Sequence, residues 1–237
     1  MTSITKQTPR KYQPKGGVNI LHEDNEIIVV EKPSGLLTIG TDRDKSRTVH
    51  TILNEYVRKG NPRSKNRIYV VHRLDRETSG ILVFAKNEIA KNFLQENWQV
   101  FEKYYYTIVH GTISPNIGSI TSYLTENKAY TVYSTPDSTQ GKLSQTDYRV
   151  LKEFRGMSLL EIHLLTGRKH QIRVHLSEKG NPVVGDRKYG RLKDASNSLA
   201  LHSFSISFKH PVTLKTLCFT SPMPDFFTRL IGNYSAQ

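Results

Sequence analysis

Short apolar runs alternate with charged, turn-rich segments along this chain. Ile27, Ile28, Val29 and Val30 form a β-branched run closed by Lys32-Pro33-Ser34-Gly35, which predicts a strand and then a loop. Residues 49–58 fit a short helix, 61–67 a polar, basic loop, and Ile68-Tyr69-Val70-Val71 a second strand. The charged segment 72–80 follows before Ile81-Leu82-Val83-Phe84-Ala85 resumes the apolar pattern, so a charged loop is held between two core strands. Ile89, Ala90, Phe93, Leu94 and Trp98 recur at near-helical spacing, predicting an amphipathic helix over 88–98. Strands are predicted over 104–109, 148–151 and 159–165, with Phe154-Arg155-Gly156 turning between the last two. A short helix over 170–176 ends at Gly180-Asn181-Pro182. Residues 202–208 alternate strictly, as a strand with one wet face does, and a last strand lies near 217–219. Strands outnumber helices and no repeat is visible, so the expected class is α+β in one catalytic unit.

Composition narrows the setting. With 36% hydrophobic and 23% charged residues the chain has the balance of a globular protein, and no apolar run approaches the roughly 20 residues that span a bilayer. Residues 1–17 form a basic arm punctuated by Pro9, Pro14, Gly16 and Gly17, expected to be flexible and to touch phosphates, without the apolar core of a secretory signal. Cys218 is the only cysteine, which excludes an intramolecular disulfide and a multi-cysteine zinc site and fits a reducing, cytoplasmic setting. The formal net charge of +13 points to a polyanionic partner, nucleic acid first.

Three segments carry candidate chemistry. In His72-Arg73-Leu74-Asp75-Arg76 a carboxylate stands between two arginines on a loop between buried strands; neighbouring positive charge favours its ionised form, as a nucleophile needs, although a surface ion pair would look the same. Leu164 to His175 concentrates positive charge after a strand: Thr166-Gly167 resembles a phosphate-accepting turn, with Arg168 and Lys169 placed to meet an RNA backbone. A metal site from His170 and His175 is disfavoured, because their i, i+5 spacing puts them on different helix faces. In Lys103-Tyr104-Tyr105-Tyr106, strand alternation puts Tyr104 and Tyr106 on one face and Tyr105 on the other, and packing competes with base stacking as the reason for the rings. His72, His170 and His175 are expected to be packed or hydrogen-bonded, and Thr78, Ser79 and Gly80 to serve the loop's structure.

Together, His72 to Gly80, Lys103-Tyr104-Tyr105 and Thr166 to His175 resemble, in order, the successive motifs of the RluA-type pseudouridine synthases. The resemblance covers roughly residues 18–227, including Glu31-Lys32-Pro33-Ser34-Gly35 and Pro182-Val183-Val184-Gly185-Asp186. It implies a mixed, largely antiparallel sheet in two lobes flanking a basic catalytic cleft, and a cofactor-free, metal-free isomerase that converts uridine to pseudouridine in structured RNA, transfer or ribosomal. Asp75 then matches the catalytic aspartate, Tyr105 the active-site tyrosine and Arg173 a basic residue paired with that aspartate. Arg73 matches an arginine that helps extrude the uridine, and Ile172 part of an apolar wall around uracil. Residues 18–237 would form the catalytic domain, with no separate S4-like RNA-binding module and no obligatory protein partner evident. Two other classes remain open: a non-catalytic RNA-binding protein, for which Asp75 facing phosphates would be a cost, and a metal-dependent nuclease, which would need further carboxylates beside Asp75.

Overall fold

A computed structural model describes residue 14 and residues 16–40, 47–190, 196 and 198–232. Most of the basic arm, residues 1–13 and 15, lies outside them. The chain divides into two compact units: residues up to Phe101 with Ser205–Ser221, and Glu102–Phe204 with the residues from Pro222 onward.

In the first unit, β1 (Asn19–Glu23) and β2 (Ile27–Lys32) form an antiparallel hairpin, and β2 pairs antiparallel with β4 (Ser79–Ala85). β3 (Tyr69–Val70) also lies against β4. Ile27 to Val30 and Ile81 to Ala85 are fully buried, which explains why both segments read as continuous apolar runs rather than alternating ones. Among the described residues, two α-helices belong to this unit. α1 (Val49–Arg58) starts at a Thr48–Thr51 capping box and buries Val49, Ile52, Leu53 and Val57; α2 (Glu88–Glu96) buries Ala90 and Leu94, the latter pair within the cluster built on Ile27, Val29, Ile81 and Val83. A short 3₁₀ turn, Trp98–Val100, replaces the predicted last turn of α2, where Asn97 ends the helix.

The second unit is built on an antiparallel sheet of β5 (Glu102–His110), β9 (Met157–Leu164), β8 (Lys142–Phe154), β6 (Ile117–Glu126) and β7 (Val132–Thr135), in that order. α3 (Gln171–Glu178) and α4 (Asp225–Ile231) complete it. β10 (Leu201–Lys209) divides at Ser205 between the units, and its second half pairs with β11 (Thr216–Thr220). The alternation in β10 is not that of a strand with one wet face: His202 and Ser203 are both buried, His202 with its ring edge-on to Phe227 of α4. The class is α+β, as the strand-rich pattern predicts, and the sheet is largely antiparallel, as the resemblance implies.

Candidate active site

Asp75 sits half-buried on the loop between β3 and β4, with Arg73, Arg76 and Glu77 exposed around it. Its backbone is fixed from both sides. The buried Thr38 hydroxyl donates to the Leu74 carbonyl (2.8 Å) and accepts from the Leu74 amide (3.2 Å). Thr38 is itself placed by α1, since the helix's first amides donate to the carbonyls of Leu37 (2.9 Å) and Thr38 (3.1 Å). On the other side, the Gly35 amide donates to the Arg76 carbonyl (2.8 Å), Arg76 Nε returns a bond to the Gly35 carbonyl (3.1 Å), and the Ser34 hydroxyl donates to the Glu77 carbonyl (2.6 Å). Thr78 is buried and its amide closes the turn on the Asp75 carbonyl (3.2 Å), while Gly80 takes φ 114°, a conformation that suits glycine as the chain enters β4.

Lys32 carries a role that its motif does not spell out. Its side chain is completely buried, and Nζ donates to the carbonyls of Leu36 (2.7 Å), Pro33 (3.0 Å) and Arg76 (3.0 Å). An ammonium has three N–H donors, and these three acceptors use them all. Burial pushes its pKa down to about 7, opposed by the negative charges of Glu77 and Asp75. Lys32 therefore ties the loop after β2 to the loop that carries Asp75. Read locally, Lys32-Pro33-Ser34-Gly35 announces only a turn, and nothing in it signals that the lysine points inward.

The remaining predicted residues belong to the second unit. Alternation along β5 works as predicted: Tyr105 is 6% exposed, whereas Tyr104 and Tyr106 are half-buried on the opposite face, with Tyr104 stacked on His163 and Tyr106 on Phe204. Lys103 shares Tyr105's face and is also buried, with a pKa that burial lowers to about 8 against the charge of Glu102.

Ile172 and Arg173 are buried in the first turn of α3. Arg173 Nε and Nη2 reach the two oxygens of Asp186 at 2.7 and 2.9 Å, a bidentate fork, and its guanidinium lies 5.2 Å from the centre of the Tyr189 ring. Asp186 also accepts the amides of Lys188 (2.9 Å) and Tyr189 (3.0 Å). Burial raises the Asp186 pKa, but the hydrogen bonds and charge of Arg173 and these two amides outweigh it, and the net direction is down. The loop reaches this position because Val183 and Val184 run along β5: the His110 amide donates to the Pro182 carbonyl (3.0 Å) and the Val184 amide to the Ile108 carbonyl (2.9 Å). A side chain at Gly190 would lie 2.1 Å from the Asp186 carbonyl, so the turn closes only over glycine.

The Thr166-Gly167 turn is organised inward. Gln171 Oε1 accepts both the Thr166 hydroxyl (2.8 Å) and the Arg168 amide (3.0 Å), and Gln171 Nε2 donates to the Gln145 carbonyl and the Thr146 hydroxyl, each at 2.9 Å. The Arg168 amide is thus committed to Gln171, and what the turn presents outward is the exposed side chains of Arg168 and Lys169. Lys169 is ion-paired with Glu126. The histidines take packed places: His72 Nε2 accepts the Val83 amide (3.0 Å) and its ring stacks on Trp98, His170 bonds the Tyr189 hydroxyl (2.7 Å), and His175 lies between the hydroxyls of Ser122 and Thr146 (both 3.0 Å). Asp75 and Arg73 belong to the first unit, and Tyr105, Arg168, Lys169, Ile172 and Arg173 to the second.

Comparison with known proteins agrees on one family. Residues 26–178 match the family model described as RNA pseudouridylate synthase. An uncharacterized RNA pseudouridine synthase of Bacillus subtilis (strain 168) is 35% identical over 221 residues, covering 91% of this chain and 72% of the relative. The ribosomal large subunit pseudouridine synthase C of Buchnera aphidicola subsp. Schizaphis graminum is 32% identical over 230 residues, covering 90% and 70%. In fold, the chain is similar to the human RNA pseudouridylate synthase domain containing 4, with a TM-score of 0.73 at 24% identity over 89% of this chain and 90% of that one.

Proposed function

The chain belongs to the RNA pseudouridylate synthase family, whose members isomerise uridine to pseudouridine in RNA, and on that premise we propose that Asp75 is its catalytic carboxylate. The observation that carries this assignment is the anchoring of Asp75: a half-buried carboxylate whose two backbone neighbours are clamped by Thr38 and by the buried Lys32. Such anchoring suits a group that must meet a reacting atom in one geometry, and a surface ion pair has no need of it.

The reaction breaks the bond from ribose C1′ to uracil N1 and forms one from C1′ to C5; N1 gains a proton and C5 loses one to solvent. The base must leave the stack before a carboxylate can reach it. In our assignment Arg73, exposed beside Asp75, fills the vacated space. Tyr105 and Ile172 supply the aromatic and apolar surfaces for uracil, and Arg173 the positive charge for the same reaction. Arg168 and Lys169 take the RNA backbone. Asp75 acts by attack at C1′, by attack on the ring, or by removing a ribose proton; all three need the carboxylate ionised. The substrate we favour is large-subunit ribosomal RNA, in keeping with the Buchnera relative, with transfer RNA as the second candidate and the cytoplasm as the site of action.

The test is tritium release from RNA labelled at uracil C5. Asp75→Asn should bind RNA as the unaltered protein does and release no tritium above background; turnover within about tenfold of the unaltered protein would overturn the assignment.

A further inference from the structure

The tip of the β6–β7 hairpin carries a feature that neither the fold nor the isomerisation requires. Tyr130 is 64% exposed and adopts φ 58°, the left-handed region that a bulky side chain enters only when its surroundings hold it there. Here they do. Its amide donates to the Asn127 carbonyl (2.9 Å), and Asn127 Oδ1 accepts the amides of Ala129 and Thr131, each at 3.0 Å. Lys188, from the loop after Asp186, donates Nζ to the Tyr130 carbonyl. Lys169, from the turn before α3, places Nζ 5.4 Å from the centre of the tyrosine ring. Three separate parts of the second unit thus converge to hold one aromatic ring out in solvent.

The charge around the ring is positive. Lys128 beside it is exposed, Lys169 and Lys188 are exposed lysines, Glu126 is ion-paired with Lys169, and the buried Asp186 carboxylate accepts the Lys188 amide. An exposed ring set among lysines matches the chemistry of unpaired nucleotides, whose bases stack on aromatic faces while their phosphates draw cations. A protein partner would call instead for an apolar patch, whereas the exposed tip residues leading into Tyr130 are Asn127, Lys128 and Ala129, with Tyr133 the next exposed ring along the hairpin.

We propose that the β6–β7 tip is a docking surface for unpaired RNA, with a base stacked on Tyr130 and flanking phosphates met by Lys128 and Lys188. The choice of RNA rests on the chain's family reaction; the surface itself rests on the hairpin geometry. In this proposal Tyr130 supplies substrate affinity by stacking on a base other than the reacting uracil, and it is a binding residue and not a catalytic one.

The experiment compares binding of a short oligouridylate and of a blunt RNA duplex of the same length, which offers phosphates without open base faces. Tyr130→Ala should weaken oligouridylate binding roughly tenfold and duplex binding by less than about twofold, and Tyr130→Phe should bind oligouridylate within about twofold of the unaltered protein. Lys128→Ala should weaken both RNAs and lower the slope of log affinity against log salt by about 0.7–0.9, a slope that Tyr130→Ala leaves in place. Tyr130→Gly separates binding from folding: it relieves the left-handed backbone, so its melting temperature should hold or rise while oligouridylate binding falls as for alanine. Unchanged oligouridylate binding by Tyr130→Ala, or equal losses on duplex and oligouridylate, would overturn the proposal. Binding is read independently of turnover, so the fate of the Asp75 assignment changes neither outcome.

Discussion

At the scale of single residues, the candidate site depends on two side chains, Lys32 and Asp186, whose roles their motifs do not spell out. Asp75, Arg73 and Arg173 stand out in the sequence because charge clusters are visible without a fold. Lys32 and Asp186 do not, because each gains its meaning from burial beside partners far along the chain: the Arg76 carbonyl for Lys32 and the Arg173 fork for Asp186. The second pair makes a quantitative prediction. Asp186 is 1% and Arg173 6% exposed, so removing the carboxylate takes from a buried guanidinium its bidentate fork and from two loop amides the oxygen they share. Asp186→Ala should cost about 3–5 kcal/mol, read as a lowered midpoint of urea unfolding. Arg173→Met, which strands the carboxylate instead, should cost a similar amount. A loss under about 1 kcal/mol in both variants would mean that the fork is exchangeable with water and does not fix the guanidinium.

At the scale of elements, legibility followed the hydrophobic pattern and stopped where packing lets polar residues into a strand. The helix over 49–58 and the strands on Ile27, Ile81 and Leu159 were visible because their apolar residues keep a single period or run unbroken. β6 was not: Ser119, Thr121 and Ser122 lie along it, and its half-exposed surface needs few apolar contacts, so no stretch of it stands out. β7 is four residues of similar character, and α4 is two turns behind Pro224. The β8–β9 turn was placed correctly, yet the structure adds what the sequence leaves open. Arg155 and Gly156 take φ 47° and 71° between the paired residues Phe154 and Met157, the two-residue hairpin turn that favours Asn-Gly. An exposed arginine bears that left-handed conformation poorly, so Arg155→Asn should stabilise the protein by about 0.5–1 kcal/mol, visible as a higher melting temperature with unchanged isomerase activity. No gain would show that Arg155 makes a compensating interaction in the turn.

At the scale of the whole molecule, the two units should differ in how acid acts on them. His175 and His202, both in the second unit, are 1% exposed, and burial lowers each pKa from 6.5 to about 4, against small opposing effects of Glu178 and of the Pro222 backbone. Between those values the unfolded chain binds protons that the folded unit refuses. Stability therefore falls as pH drops from 6.5 towards 4, by about 2–3 kcal/mol for each histidine, and is unaffected by them above 6.5. The carboxylates act in a lower window. Asp24, in the first unit, is raised by burial but held below its usual range by bonds from His22 and from the amides of Ile27 and Glu26; its share of stability goes only as pH falls below the ordinary carboxylate value of 3.8. Between pH 6.5 and 4, then, the second unit should weaken first, which hydrogen exchange would register as faster opening of β6, β8 and α3 than of β2 and β4. Melting at pH 7.5 and 5.0 isolates the cause: the unaltered protein should lose several degrees, and His175→Gln with His202→Gln should lose less than half as much. An equal loss in the double variant would move the acid sensitivity to other groups and remove the histidines from the account.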